Sequence, residues 1–328
     1  MRSRRAFAGF RAFRGDAYHC LMRIEDIIEG RQPVFSFEFF PPKTPEGEEK
    51  LFETIATLRR LDPSFVSVTY GAGGGTRALT VDIVKRIKNE LGIEAMAHFT
   101  CVGHTREELH EVLGEMRAAG IENVLPLRGD PPKGETEFKP VAGGLSHGSE
   151  LAALISESYD FSIGGACYPE LHPEAVDADT DLLTCHYKVA AGAKFLITQL
   201  FFDNEDYFAF VDRARASGLD VPIIPGIMPI TNFEQIKRFT STIGASIPPE
   251  LHEQLEATNA EGEEAVLELG VAYATLQCAD LLARGAPGIH FYTLNKSMAT
   301  RAILSALRAA RPWQRSLASA PAQSRQTH

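Results

Sequence analysis

Cysteine is scarce in this 328-residue chain, and what there is forms no C-x-x-C pair. The five thiols stand apart at Cys20, Cys101, Cys167, Cys185 and Cys278, which excludes a disulfide framework or a structural zinc site as the expected organiser and fits a reducing, cytoplasmic setting. Basic charge is also in deficit. With 33 Lys and Arg against 43 Asp and Glu, the formal net charge is −10, and a nucleic-acid surface is not expected because phosphate contacts need clustered cations. No apolar run reaching the roughly 18 residues of a membrane span stands out, and no fixed-period repeat is visible. The glycine run Gly71-Ala72-Gly73-Gly74-Gly75-Thr76 puts Thr where a dinucleotide fingerprint needs its third glycine, so that motif fails. A permissive turn that lets backbone approach a ligand stays open. His98 and His172 sit in no H-x-H or H-E-x-x-H spacing, so no metal site is expected.

What the chain has is an ordinary globular composition, 44% apolar and 23% charged. Between Met22 and Arg311, short β-branched or aromatic runs alternate with helix-period segments, the pattern of parallel βα units. Strands are expected at 34–39, 65–70, 94–100, 123–127, 161–167, 194–201, 221–227 and 288–294. Thr44 followed by Pro45 reads as a helix start, and Thr105-Arg106-Glu107-Glu108 as a capping box. Eight units without a composition break predict an α/β fold, one (β/α)₈ TIM-type barrel over residues 22–312, with extra helices before the eighth strand. An open doubly wound sheet is the alternative. Residues 1–21 carry Arg2, Arg4, Arg5, Arg11 and Arg14 with Phe7, Phe10 and Phe13, and are expected to be a disordered extension upstream of a start at Met22, with an amphipathic anchor as the other reading. Residues 313–328 are expected to be a disordered tail.

In such a barrel, chemistry collects at the C-terminal strand ends. Those positions hold Glu38, Thr69, Tyr70, His98, Arg128, Asp130, Tyr168, His172, Gln199, Asn295 and Lys296. Glu38 is flanked by Phe37, Phe39 and Phe40, which predicts poorly solvated surroundings in which a carboxyl keeps its proton and can serve as a general acid. An ion pair with Lys or Arg is the bland alternative. Asp130, after Arg128-Gly129, is either a second functional carboxylate or a turn cap before Pro131-Pro132.

Seven segments together resemble the methylenetetrahydrofolate reductase family. They are Phe35-Ser36-Phe37-Glu38-Phe39-Phe40-Pro41-Pro42-Lys43, Val66-Ser67-Val68-Thr69-Tyr70-Gly71-Ala72-Gly73-Gly74, Leu127-Arg128-Gly129-Asp130-Pro131-Pro132 and Tyr168-Pro169-Glu170-Leu171-His172-Pro173-Glu174-Ala175. Ile197-Thr198-Gln199-Leu200-Phe201-Phe202-Asp203, Ile224-Pro225-Gly226-Ile227-Met228-Pro229 and His290-Phe291-Tyr292-Thr293-Leu294-Asn295 complete the set, in order over residues 22–312.

The resemblance implies a barrel that holds FAD without a Rossmann domain. It implies NADH or NADPH as electron donor and 5,10-methylenetetrahydrofolate as substrate in a ping-pong cycle, with 5-methyltetrahydrofolate made for methionine synthesis. Glu38 matches the family's general acid and Asp130 the residue that bonds the pterin near the flavin. FAD contacts carried over are Tyr70, Ala72, His98, Arg128, Gly129, Asp130, Gly148, Tyr168, His172, Ala175, Asp181, Thr184, Tyr187 and Lys188. Thr69 matches a nicotinamide contact, and Gln199 one shared by folate and nicotinamide. Gln235, Phe239 and Lys296 fall on the substrate side. The departures are Thr184 for Asn, Tyr187 for Arg and Lys296 for Arg, which bear on diphosphate and substrate binding. A homo-oligomer is expected, and no counterpart of the family's S-adenosylmethionine-sensing domain.

Overall fold

The computed structural model describes residues 22–70, 77–131, 134 and 138–314. Nine parallel segments make one sheet: β1 (Val34–Phe39), β2 (Phe65–Val68), β3 (Ala95–Thr100), β4 (Asn123–Leu127), β5 (Ser162–Cys167), β6 (Ala193–Thr198), β7 (Ile223–Ile224), β8 (Gly226–Ile227) and β9 (Gly288–Tyr292). Their order is β7-β6-β5-β4-β3-β2-β1-β9-β8. The two outermost segments are halves of one strand, parted at Pro225, whose nitrogen has no hydrogen to give a ladder. The first half pairs with β6 (Ile197 opposite Ile224) and the second with β9 (Gly226 opposite His290). Eight strands therefore close, as the alternation predicts, and the open sheet is ruled out. The seam is tight at Gly226, where a Cβ would stand 2.3 Å from the Thr198 carbonyl oxygen and 2.7 Å from the Tyr292 ring.

Around the barrel lie α2 (Pro45–Arg59), α3 (Arg77–Leu91), α4 (Arg106–Ala118), α5 (Gly148–Ser158), α6 (Ala178–Ala190), α7 (Asn204–Ala216), α8 (Phe233–Ile243), α9 (Pro249–Asn259), α10 (Glu263–Ala283) and α11 (Met298–Ala310). Thr44 caps α2 by accepting from Gly47 N, and Thr105 and Glu108 complete the capping box of α4. A further helix, α1 (Ile24–Gly30), was not expected from the sequence. Its Ile24, Ile27 and Ile28 plug the base of the barrel against Val34, Phe65, Met96, Leu125, Phe195 and Ile224. The expectation of no membrane-length apolar run also needs correction. By length and composition α10 could cross a membrane, yet here it packs against α7, α9 and α11, with Gly270 drawn so close to Ile230 that a Cβ would meet its carbonyl.

Alternation along β1 positions the site. Phe35, Phe37 and Phe39 face the helix layer with Leu51, Ile55 and Leu58, while Val34, Ser36 and Glu38 face the interior. Phe37 and Phe39, beside Glu38, are thus on the opposite face and do not surround its carboxyl, and Phe40, past the strand's end, is exposed. Its burial comes from the barrel interior instead. Trp313, assigned to the tail, sets its ring edge-on against Phe35 at 5.9 Å.

Candidate active site

Glu38 is 6% exposed, and the groups that reach it are histidines. Its Oε2 lies 3.4 Å from His98 Nε2 on β3 and 3.5 Å from His290 Nε2 on β9. Among the described residues no Lys or Arg pairs with it, which sets aside the ion-pair alternative. The His290 contact has hydrogen-bond geometry; the His98 contact is close but misaligned, so His98 Nε2 is left unpartnered. Burial holds His98 below the ordinary imidazole value, with His290 pushing the same way, against the pull of Glu38. It is a neutral ring at neutral pH. Behind Glu38, Ser36 Oγ lies 2.7 Å from His290 Nδ1, and Thr293 Oγ1 donates to the Glu38 carbonyl at 2.6 Å. Tyr292 donates its hydroxyl to the Thr198 carbonyl at 2.6 Å, and burial together with the Glu38 charge pushes its phenol well above the ordinary value.

A second group gathers at the ends of β4, β5 and β6. Burial raises the Tyr168 phenol to about 12 despite its hydrogen bond to Gln199, and its ring stands edge-on to His172 at 4.6 Å. Gln199 also accepts from Leu200 N at 2.8 Å through its side-chain carbonyl. Arg128 is gripped from both nitrogens by Glu174, at 2.5 and 2.6 Å, and its guanidinium value is raised by that bond. Asp130 is exposed, and its charge acts on both Arg128 and Tyr168. Gly129 takes φ +89° with Val102 where a Cβ would go, so the loop needs glycine there. Gly148 opens α5 against the Arg128 backbone, where a Cβ would be 3.2 Å from its nitrogen.

The helix-borne positions are mixed. Asp181 is buried and accepts from His172 N at 3.0 Å, and Ala175 N donates to the His172 carbonyl in the same turn. Burial lowers the His172 imidazole. Lys188 reaches the Ala166 carbonyl at 2.6 Å. The Thr184 hydroxyl turns back to the Asp181 carbonyl at 2.7 Å, and Tyr187 is exposed on the outer face. Thr69 ends β2's run with its carbonyl held by Thr80, and the Tyr70 ring packs edge-on to Phe99 in the helix-facing core. Ala72 lies outside the described residues. On α8, Gln235 N bonds the Asn232 cap and Phe239 joins the apolar cluster around Phe233 and Ile236. Lys296 lines a cavity of about 470 Å³ with Tyr292, Thr293, Leu294, Leu267 and Met298. The thiols of Cys101 and Cys167 are buried and raised by that burial, Cys101 to about 11, as suits packing rather than reaction.

The structure thus unites Glu38 with His98 on the interior, and Tyr168, Gln199, His172, Arg128 and Asp130 at the mouth. The sequence reading missed Ser36, His290 and Glu174. The signal for Ser36 was its spacing of two from Glu38, which puts both on one face of a strand. His290 needed the register of β9 against β1, which no local pattern supplies.

The methylenetetrahydrofolate reductase family model matches residues 23–308. The chain belongs to that family. It is 42% identical over 280 residues to the 5,10-methylenetetrahydrofolate reductase of Escherichia coli, covering 85% of this chain and 92% of that protein. It is 39% identical over 312 residues to methylenetetrahydrofolate reductase (NADH) 1 of Arabidopsis thaliana, covering 89% of this chain but 52% of the plant protein. The chain therefore spans about half the length of the plant relatives and nearly all of the bacterial one. Among solved structures, a Clostridium thermocellum protein described as binding two copies of 5-methyl-5,6,7,8-tetrahydrofolic acid superposes with a TM-score of 0.58 at 18% identity, over 88% of this chain and 99% of that one. That likeness shows the barrel.

The family's flavin can be tested against what is built here. Ser67 Oγ, Thr100 Oγ1 and His98 Nε2 are sealed inside without a hydrogen-bond partner among the described residues, the state of buried polar atoms that a bound ligand or water would serve. Arg128, held by Glu174, and Lys188 both exert their positive charge on the His172 imidazole, which places two cations beside one ring at the mouth, as suits a diphosphate. These residues fit a flavin dinucleotide. Among the described residues no group of three or more His, Cys, Asp or Glu could hold a metal.

Proposed function

We propose that the chain reduces 5,10-methylenetetrahydrofolate to 5-methyltetrahydrofolate with NADH or NADPH as electron donor and FAD as cofactor, in a ping-pong cycle. The observation that carries this reading is Glu38, an interior carboxyl at the end of β1 whose polar contacts among the described residues are His98 and His290, in a chain of this family. FAD, when bound, supplies two-electron transfer from nicotinamide to folate. Arg128 and Lys188 would hold its phosphates, with His98, Tyr168 and His172 around its rings.

The residues of the chain then have distinct tasks. Glu38 donates a proton to a ring nitrogen of the folate, which weakens the N–C bond of the imidazolidine so that the methylene can accept hydride. Asp130, exposed at the mouth, accepts hydrogen bonds from the pterin. Gln199, held against Tyr168, orients whichever substrate is present. Lys296 answers the glutamate carboxylates across the neighbouring cavity. Cytoplasmic location, assembly as a homo-oligomer and supply of methionine synthesis belong to the same proposal.

An anaerobic half-reaction experiment tests it. The purified protein should take up FAD, its flavin colour should bleach with NADH or NADPH, and methylenetetrahydrofolate should restore the colour. A protein that takes up no flavin, or a reduced flavin indifferent to the folate, sinks the reading.

A further inference from the structure

We propose that Ser36 and His290 form a positioning pair that decides which oxygen of Glu38 carries the transferable proton; this rests on the reading of Glu38 as the acid. Both histidine contacts go to Oε2, while Oε1 makes no hydrogen bond to any described residue, and the Glu38 side chain keeps 8% of its surface open. The asymmetry begins two residues back along β1. Ser36 is wholly buried, and among the described residues its one side-chain partner is His290 Nδ1 at 2.7 Å. A buried hydroxyl hydrogen needs an acceptor, so Ser36 donates to Nδ1 and the imidazole proton sits on Nε2. Nε2–H then points at Oε2, which accepts. The carboxylic proton is left to Oε1, the oxygen free to meet a substrate.

The other tautomer would reverse this. With the proton on Nδ1, a bare Nε2 would accept from Oε2–H and draw the acidic proton into the barrel, away from the mouth. Among the described residues the ionisable side chains facing Glu38 are His98 from β3 and His290 and Tyr292 from β9; His98 Nε2 lies 3.4 Å from Oε2 without hydrogen-bond geometry, and the Tyr292 hydroxyl is committed to the Thr198 carbonyl. The Phe65 ring, at 21° to the His290 plane and 6.3 Å away, covers the imidazole face.

The test uses full-length protein labelled with ¹⁵N-histidine and free of ligand, with the His290 resonances assigned by their loss in His290→Gln. The wild type should show the Nε2–H tautomer. Ser36→Ala should lose that preference, and Ser36→Thr, which keeps the hydroxyl, should retain it. In single-turnover kinetics Ser36→Ala should slow folate reduction about tenfold, equivalent to about 1.4 kcal/mol, and leave flavin reduction by nicotinamide unchanged, with Ser36→Thr restoring the folate step. An Nδ1–H tautomer in the wild type, or a tautomer indifferent to Ser36→Ala, overturns the proposal. So does equal loss in both half-reactions. A wild type with the expected tautomer but no folate turnover would remove the functional reading and leave the pairing standing.

Discussion

The two ends of the barrel bury polar groups to a similar depth and treat them in opposite ways. At the base, Lys88 bonds Glu94 at 3.0 Å and Glu122 at 2.9 Å, and Asn123 bridges Glu94 to the Met22 carbonyl while accepting from Ile24 N. Ser162 donates to Glu25 on α1. Each of these side chains has a partner, and together they fasten the plug helix. Toward the mouth, Ser67, Thr100 and His98 each bury a polar atom with none. Buried polarity of the first kind holds structure together; polarity of the second kind costs stability until something arrives to satisfy it. The division matches the general rule that barrel chemistry sits at the C-terminal strand ends and stability at the other.

The largest effect expected at the mouth is on catalysis. Glu38→Gln keeps the shape of the side chain but removes the acid, so folate reduction should fall by about 10² to 10⁴. Reduction of flavin by nicotinamide should continue at the wild-type rate. Stopped-flow measurement of the two half-reactions separates them, and an equal fall in both would make Glu38 a structural residue and erase the contrast between the ends.

The matching change at the base acts on stability. Lys88→Met leaves Glu94 and Glu122 buried without their cation and should cost about 3–5 kcal/mol, read from urea unfolding, with little change in the activity of the folded fraction. Burial already raises the Glu94 carboxyl above its ordinary value, and Lys88 is the first group pulling it back. A carboxyl raised in the folded state contributes stability that is full below its unfolded value and is lost as pH climbs through the folded one. Without Lys88 that loss extends to higher pH, so the gap between variant and wild type should narrow on acidification. A gap independent of pH would show that the cluster is not held by charge.

How much of this contrast could be read in advance depends on whether it is local. The strand ends and their polar residues were legible because each strand–helix unit carries its own periodicity and caps, as Thr44 and Thr105 show. The base was not. Lys88, Glu94 and Glu122 come from three elements, and only the register of β3 on β4 brings them together. The seventh strand read as continuous because Pro225 lies within an apolar run; its role as the closing seam depends on two different neighbours. The solvation of Glu38 was misattributed to adjacent phenylalanines because nearness in sequence is not nearness in a strand, where neighbours face apart.

A smaller effect should come from Lys296, on the wall of the cavity beside Tyr292 and Thr293. It is exposed, so Lys296→Ala should raise KM for the folate by about two- to fivefold, the weight of one exposed ion pair, and leave kcat alone. Lys296→Arg should lower KM, since a guanidinium fork matches a carboxylate better than an ammonium does. A change in kcat would place this residue nearer the chemistry than its exposure allows.

The smallest effect is the sharpest test of the comparison, because it pairs two serines of equal burial. Ser162 on β5 bonds the Glu25 carboxylate, and Ser162→Ala should cost about 1.5 kcal/mol, as for a hydrogen bond to a charged group. Ser67 on β2 is as deeply buried and its hydroxyl bonds no described residue, so Ser67→Ala, which removes that unsatisfied group, should stabilise the ligand-free protein by about 1 kcal/mol. Thermal unfolding without FAD reads both. Added FAD should then reverse the ranking of interest: if the Ser67 hydroxyl is kept for a ligand, the stabilisation by flavin should shrink in Ser67→Ala and stay intact in Ser162→Ala. Equal flavin shifts in the two variants would mean that the unpartnered hydroxyl is an accident of packing.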